Sequence, residues 1–185
     1  MKTKFILHGG FEPNTKQEND AFFQEILSTA PKEPRILLVY FAKKPDRVEK
    51  NRAEDIDQFN KNKGDRTLSF ETANEKDFLG QVRSADVVYL HGGHSGLMLE
   101  AMKKWSGFKG LFEGKIVAGD SAGANALSTI FYSDTIGIAE GLGVLPIKII
   151  CHYTEEKKDT LEKVRPELET IRLPQYQFRV IEEER

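Results

Sequence analysis

The chain contains a single cysteine, Cys151, and a single tryptophan among its 185 residues. One thiol excludes an intrachain disulfide framework and a cysteine-rich metal site, and it fits a reducing cytoplasm. An excess of charge of one sign is missing too: 27 Lys plus Arg face 29 Asp plus Glu, a formal net charge of -2. There is thus no general electrostatic attraction for nucleic acid or for an anionic membrane surface. Long apolar runs are absent. No stretch is long enough to span a bilayer, and the short run in "MKTKFILHGG" is broken by His8, Gly9 and Gly10 too early for a signal-peptide core. The expected compartment is the cytoplasm, and any substrate has to be held by local groups.

What is present is a soluble globular composition, 39% hydrophobic and 30% charged, in a chain long enough for one domain with a real core. Residues 1–185 are therefore read as a single α/β domain. Short apolar runs alternate with helical patterns. "KFILH", "RILLVYFA", "RTLSFE", "DVVYLHGG", "KIVAGD" and "VLPIKIICHY" read as strands, and the tail "QYQFRVIEEER" as a last one. Helical spacing covers 18–30, 47–61, 75–82, 96–105, 121–127 and 154–168. The near-continuous apolar strands imply a mostly parallel sheet with helices on both faces, a three-layer α/β fold. In such sheets the site lies at the carboxyl ends of the strands.

One of those ends carries "GDSAG", residues 119–123, which fits the G-x-S-x-G nucleophile elbow. A tight strand-to-helix turn would raise the Ser121 hydroxyl above the sheet at a helix N-terminus, whose free N–H groups favour an oxyanion. The competing reading makes Ser121 a helix N-cap. A phosphate-binding loop is disfavoured because no Lys-Ser/Thr pair follows the glycines.

A serine nucleophile needs a base, an orienting group and an oxyanion hole. His152, at the end of "PIKIIC", is the expected base. His8 and His91 precede Gly-Gly pairs and shape turns or pack. His94 and Asn125 are the candidate substrate-binding residues. The N–H groups of Ala122, Gly92 and Gly93 are the expected oxyanion donors. For the orienting acid, Asp134 gives the order Ser, Asp, His; Glu155 and Glu156 are alternatives, and a Ser–His dyad without an acid stays open. Asp120 flanks the serine with its side chain expected to point away. Cys151 suggests a rival Cys–His pair, but strand alternation turns it away from the face that His152 occupies, so it reads as a small buried apolar residue.

"YLHGGHSGLMLEAM", "GDSAGANAL" and "GLGVLPIKIICHY" resemble, in order and spacing, the peptidase S51 family of aspartyl dipeptidases (peptidase E) and cyanophycinases. The resemblance implies a flavodoxin-like, class I glutamine amidotransferase-like fold. It implies a serine peptidase acting on short peptides through Ser121, His152 and an acyl-enzyme, with Asp134 as the nearest match to the family's aspartate. No metal or organic cofactor is expected. The expected partner is a small peptide, with a homodimer the assembly considered. The sequence departs from the family before the histidine, where Ile-Cys replaces a proline, and its C-terminus looks shorter. Arg165 and Arg179 are the candidates for selecting an acidic N-terminal residue. The alternatives are an α/β-hydrolase-type esterase and an amidotransferase-like protein that binds a ligand without turnover.

Overall fold

Alternation of apolar residues along the strands decides how the layers form. The computed structural model describes residues 2–11 and 19–184. In β1 (Lys2–His8), β2 (Arg35–Val39), β4 (Val87–Leu90) and β5 (Ile116–Asp120), successive residues point to opposite faces and nearly all are buried. Phe5, Leu7, Leu37, Val39, Val88, Leu90 and Val117 enter one core. Ile6, Ile36, Leu38, Val87, Tyr89, Ile116 and Ala118 enter another. A strand with both faces apolar has to be covered on both sides. Helices α1 (Asp20–Ser28) and α2 (Pro45–Asn62) cover one face through Phe22, Phe23, Ile26, Leu27 and Phe59. Helices α3 (Phe78–Ser84), α4 (Ser95–Met102), α5 (Phe108–Leu111) and α6 (Ala122–Leu127) contribute to the other.

The main sheet has six strands in the order β10-β1-β5-β4-β2-β3, with β3 at Ser69–Thr72 and β10 at Phe178–Glu184. All neighbours are parallel except β1 and β10. The expected mostly parallel, helix-covered architecture is present, and the tail forms a strand as read. The start of the expected first helix at residue 18 lies outside the described residues.

Two features differ from the reading of the sequence. First, "IKIIC" is not in the main sheet. It is β8 (Ile147–Cys151) of a second, four-stranded sheet, order β7-β6-β8-β9, with β6 at Ile130–Ser133, β7 at Gly137–Glu140 and β9 at Glu169–Leu173. Its inner residues Phe131, Ile147, Ile149, Ile171 and Leu173 join α6 and Phe5 in one core. Second, residues 154–168 are not an α-helix. A 3-10 turn at Glu155–Lys157 is followed by further turns whose bonds span three residues, such as Glu162 N–H to Asp159 O and Val164 N–H to Leu161 O. The cause is Lys148, only 2% exposed in β8, whose Nζ donates to Leu161 O at 2.9 Å and Val164 O at 2.7 Å. Those carbonyls face the sheet instead of continuing a helical ladder, and Arg165, at φ 43 before Pro166, ends the segment.

Candidate active site

The turn between β5 and α6 holds Ser121 at φ 44, ψ -99. A non-glycine residue there carries about 1–3 kcal/mol of strain, which only a well-determined surrounding maintains. The surrounding is backbone. Ser121 N–H donates to His8 O at 3.0 Å, and Asn125 N–H donates to Ser121 O at 2.9 Å. A Cβ at Gly123 would lie 2.1 Å from Leu90 O, so α6 packs on β4 at a distance only glycine permits. The hydroxyl makes no capping bond to its own helix. Its Oγ lies instead 3.0 Å from His152 Nε2.

His152 follows β8 and also has positive φ, 48. Its N–H donates to Gly9 O at 2.8 Å, and its carbonyl accepts from Lys157 Nζ at 2.9 Å. A Cβ on Gly10, itself at φ +95, would fall 2.3 Å from the ring. The missing side chain at position 10 is the space the imidazole occupies. Burial holds the imidazole below the usual histidine range; Asp120 opposes this, Lys157 adds to it, Asp134 opposes it and His8 adds to it. The ring is therefore neutral at neutral pH, as a proton acceptor must be. On its other side, Nδ1 lies 3.3 Å from the amide nitrogen of Gln175, in the connection between β9 and β10.

The structure brings together some of the residues read from the sequence and not others. Ala122 opens α6, and Gly92 and Gly93 follow β4. Among the described residues, none of their three N–H groups is taken by a backbone carbonyl. Asp134 is not on the imidazole. It lies in the turn after β6, 60% exposed, and its Oδ2 accepts from Lys157 Nζ at 2.7 Å. Glu155 and Glu156 are exposed, with Glu155 accepting from Tyr153 OH at 3.3 Å. Asp120 turns to the other side of the sheet, its Oδ1 2.8 Å from His8 Nδ1, and the pair is buried. His91 is buried with Nδ1 2.8 Å from Asp55 Oδ2; the angle makes this a close polar contact short of a hydrogen bond, and Tyr40 OH donates to the same oxygen at 2.8 Å.

His94 is exposed and caps α4, its Nδ1 accepting from Leu97 N–H at 3.4 Å. Asn125 is buried on α6. Its Nδ2 donates to Ser95 Oγ at 3.0 Å, while its Oδ1 has no partner among the described residues. Arg165 pairs with Glu167, and Arg179 is exposed on β10. Cys151 is buried, and burial pushes its thiol far above the usual range, so a Cys–His pair has no thiolate to use. Among the described residues, no group of three or more His, Cys, Asp or Glu side chains is placed to hold a metal ion, and no helix is long and apolar enough to cross a membrane.

Sequence reasoning missed Gly10 and Gln175. Gly10 was visible as a Gly-Gly pair at the end of the first strand, but the ring it accommodates is far along the chain. Gln175 carried only the signal of a turn, Pro174 between two strand-like runs.

A parallel α/β sheet with a strained strand-to-helix serine at its carboxyl edge is an architecture of serine-type hydrolases. The chain belongs to Peptidase family S51, whose profile matches residues 5–180. Solved structures agree in fold. A peptidase from an acI-B1 Actinobacterium superposes with a TM-score of 0.69 at 17% identity, over 97% of this chain and 83% of the other. A putative peptidase E protein from Listeria monocytogenes EGD-e superposes with a TM-score of 0.65 at 18% identity, over 99% and 98% of the two chains. A comparison with curated proteins gives no match.

Proposed function

We propose that the protein hydrolyses short peptides, dipeptides among them, with Ser121 as nucleophile and His152 as general base. The observation that carries this reading is the 3.0 Å contact between Ser121 Oγ and His152 Nε2 across the edge of the sheet. His152 takes the hydroxyl proton as Oγ attacks the scissile carbonyl carbon. The oxyanion is received by the N–H groups of Ala122 and the Gly92 and Gly93 loop, where the α6 N-terminus adds its dipole. The C–N bond then breaks, the leaving amine takes the proton from His152, and water hydrolyses the acyl-enzyme by the same steps. Exposed His94 serves as a substrate contact in this reading, while buried Asn125 supports the elbow from within α6 through its bond to Ser95.

The test is hydrolysis of a dipeptide panel by wild type, Ser121→Ala and His152→Ala. Each variant is expected to lose at least about 10⁴-fold in kcat/KM, since removing one member of such a unit disables the whole. Wild-type rates in either variant would sink the reading.

A further inference from the structure

We propose that Gln175 is the positioning residue for His152: its neutral side-chain amide, where a carboxylate was expected, fixes the orientation of the ring that faces Ser121 and serves either of its tautomers. The inference rests on the reading of Ser121 and His152 as nucleophile and base.

Three observations lead to it. The amide meets the ring from the correct side, at Nδ1, while Nε2 faces the serine. The backbone carrying the amide is anchored to the glycine pair that surrounds the ring. Tyr176 N–H donates to Gly10 O at 2.9 Å and Gly9 N–H donates to Gln177 O at 2.8 Å. A Cβ at Gly9 would lie 2.1 Å from Pro174 O, so the connection packs directly on the end of β1. Third, the carboxylates are engaged elsewhere, Asp134 by Lys157 and Asp120 by His8. Among the described residues, no carboxylate forms an ion pair with His152.

The chemistry follows from what an amide offers. With its nitrogen toward Nδ1, the amide donates, and Nε2 must then carry the ring proton. A half-turn of the amide brings its oxygen to the same place, where it accepts from Nδ1–H and leaves Nε2 free to receive the serine proton. O and N are nearly interchangeable in shape, so both states keep the ring plane. Unlike a carboxylate, the amide adds no charge to favour the imidazolium. Among the described residues, the charges that act on the ring from a distance are Asp120 and Asp134, which favour its protonation, and Lys157 and His8, which oppose it; burial outweighs them. The acid limb of activity therefore falls below the ordinary histidine value of about 6.5.

The experiment measures the labelling rate of Ser121 by a fluorophosphonate against pH, for wild type, Gln175→Glu and Gln175→Met, alongside the NMR titration of the His152 ring. Gln175→Glu places a carboxylate at Nδ1 and is expected to move both the acid limb and the ring titration up by about 1–3 pH units. Gln175→Met keeps the shape without the hydrogen bond. It is expected to label about 10²-fold more slowly at neutral pH, a loss that Gln175→Glu does not share above its own limb. An unmoved limb and ring in Gln175→Glu, or wild-type labelling in Gln175→Met, would each overturn the assignment. A ring titration that moves while no form is labelled would overturn the nucleophile and base instead and leave the Gln175 contact standing.

Discussion

Ser121 sits in a turn built mainly from its neighbours in sequence, whereas His152 is held largely by side chains and glycines from other segments of the chain. The elbow itself, β5, α6 and two close glycines, lies within a few residues, and the distant parts that hold it are backbone alone, His8 O and Leu90 O. The imidazole needs Gly9 and Gly10 from the end of β1, Lys157 from the turn after β8, and Gln175 from the connection that returns the chain to the main sheet. The six-stranded sheet thus presents the nucleophile and the four-stranded sheet the base, and the two side chains meet at the carboxyl edges of the sheets. A local motif is robust to distant change. A part held from several places fails when any one of them shifts.

The sharpest way to break this comparison is Gly10→Ala. The added methyl would lie 2.3 Å from the His152 ring, on a residue whose φ of +95 already disfavours a side chain. The ring has to move, and the 3.0 Å contact with Ser121 is lost. A misplacement of about 1 Å at a reacting group costs about 10²-fold, so kcat/KM is expected to fall at least that far while Ser121 keeps its strained turn. A wild-type rate would show that the ring is not held by this glycine.

An intermediate effect is expected from Lys148→Met, which tests how the second sheet holds the segment carrying Lys157. The methionine fills the stem of the lysine but leaves Val164 O without its donor and Leu161 O with the Val164 N–H alone. An unsatisfied buried acceptor costs about 1–3 kcal/mol. At the middle of that range, near 2 kcal/mol, the melting temperature falls by about 4–8 °C for a chain of this size. Calorimetry checks the fall, and an unchanged melt would mean that water replaces the ammonium.

The same contrast explains what could be read without a structure. The elbow was legible because every residue it needs is adjacent, and β1, β2, β4, β5 and β8 because both of their faces are apolar. The strands β6, β7 and β9 were not, because they are short and only partly buried: β6 buries its first two residues alone, and β7 alternates half-buried with exposed ones. Apolar periodicity says that "IKIIC" is a strand but not which sheet it joins. Spacing at Leu161, Val164 and Leu168 imitates a helix; only the position of Lys148 beneath it reveals that the carbonyls are taken. Asp134 looked suitable because the order Ser, Asp, His suited it, yet chain order does not measure distance. Gln175, separated from His152 by 23 positions, has a side chain with no chemical mark of function.

The smallest effect is expected from Asp134→Asn, and it sharpens the comparison most economically. The carboxylate is 60% exposed and its partner Lys157 17%, so the 2.7 Å pair is largely solvent-screened. Such pairs are worth about 0–1 kcal/mol, which is at most about 2–4 °C in melting temperature, less at high salt. Lys157 keeps its bond to His152 O after the substitution, so the strained backbone at 152 retains its support. Turnover is expected to fall far less than in Gln175→Met. A loss as large as that variant's, persisting in high salt, would mean that Asp134 swings onto the imidazole during the reaction, and the base would then be held by an acid in the order Ser, Asp, His after all.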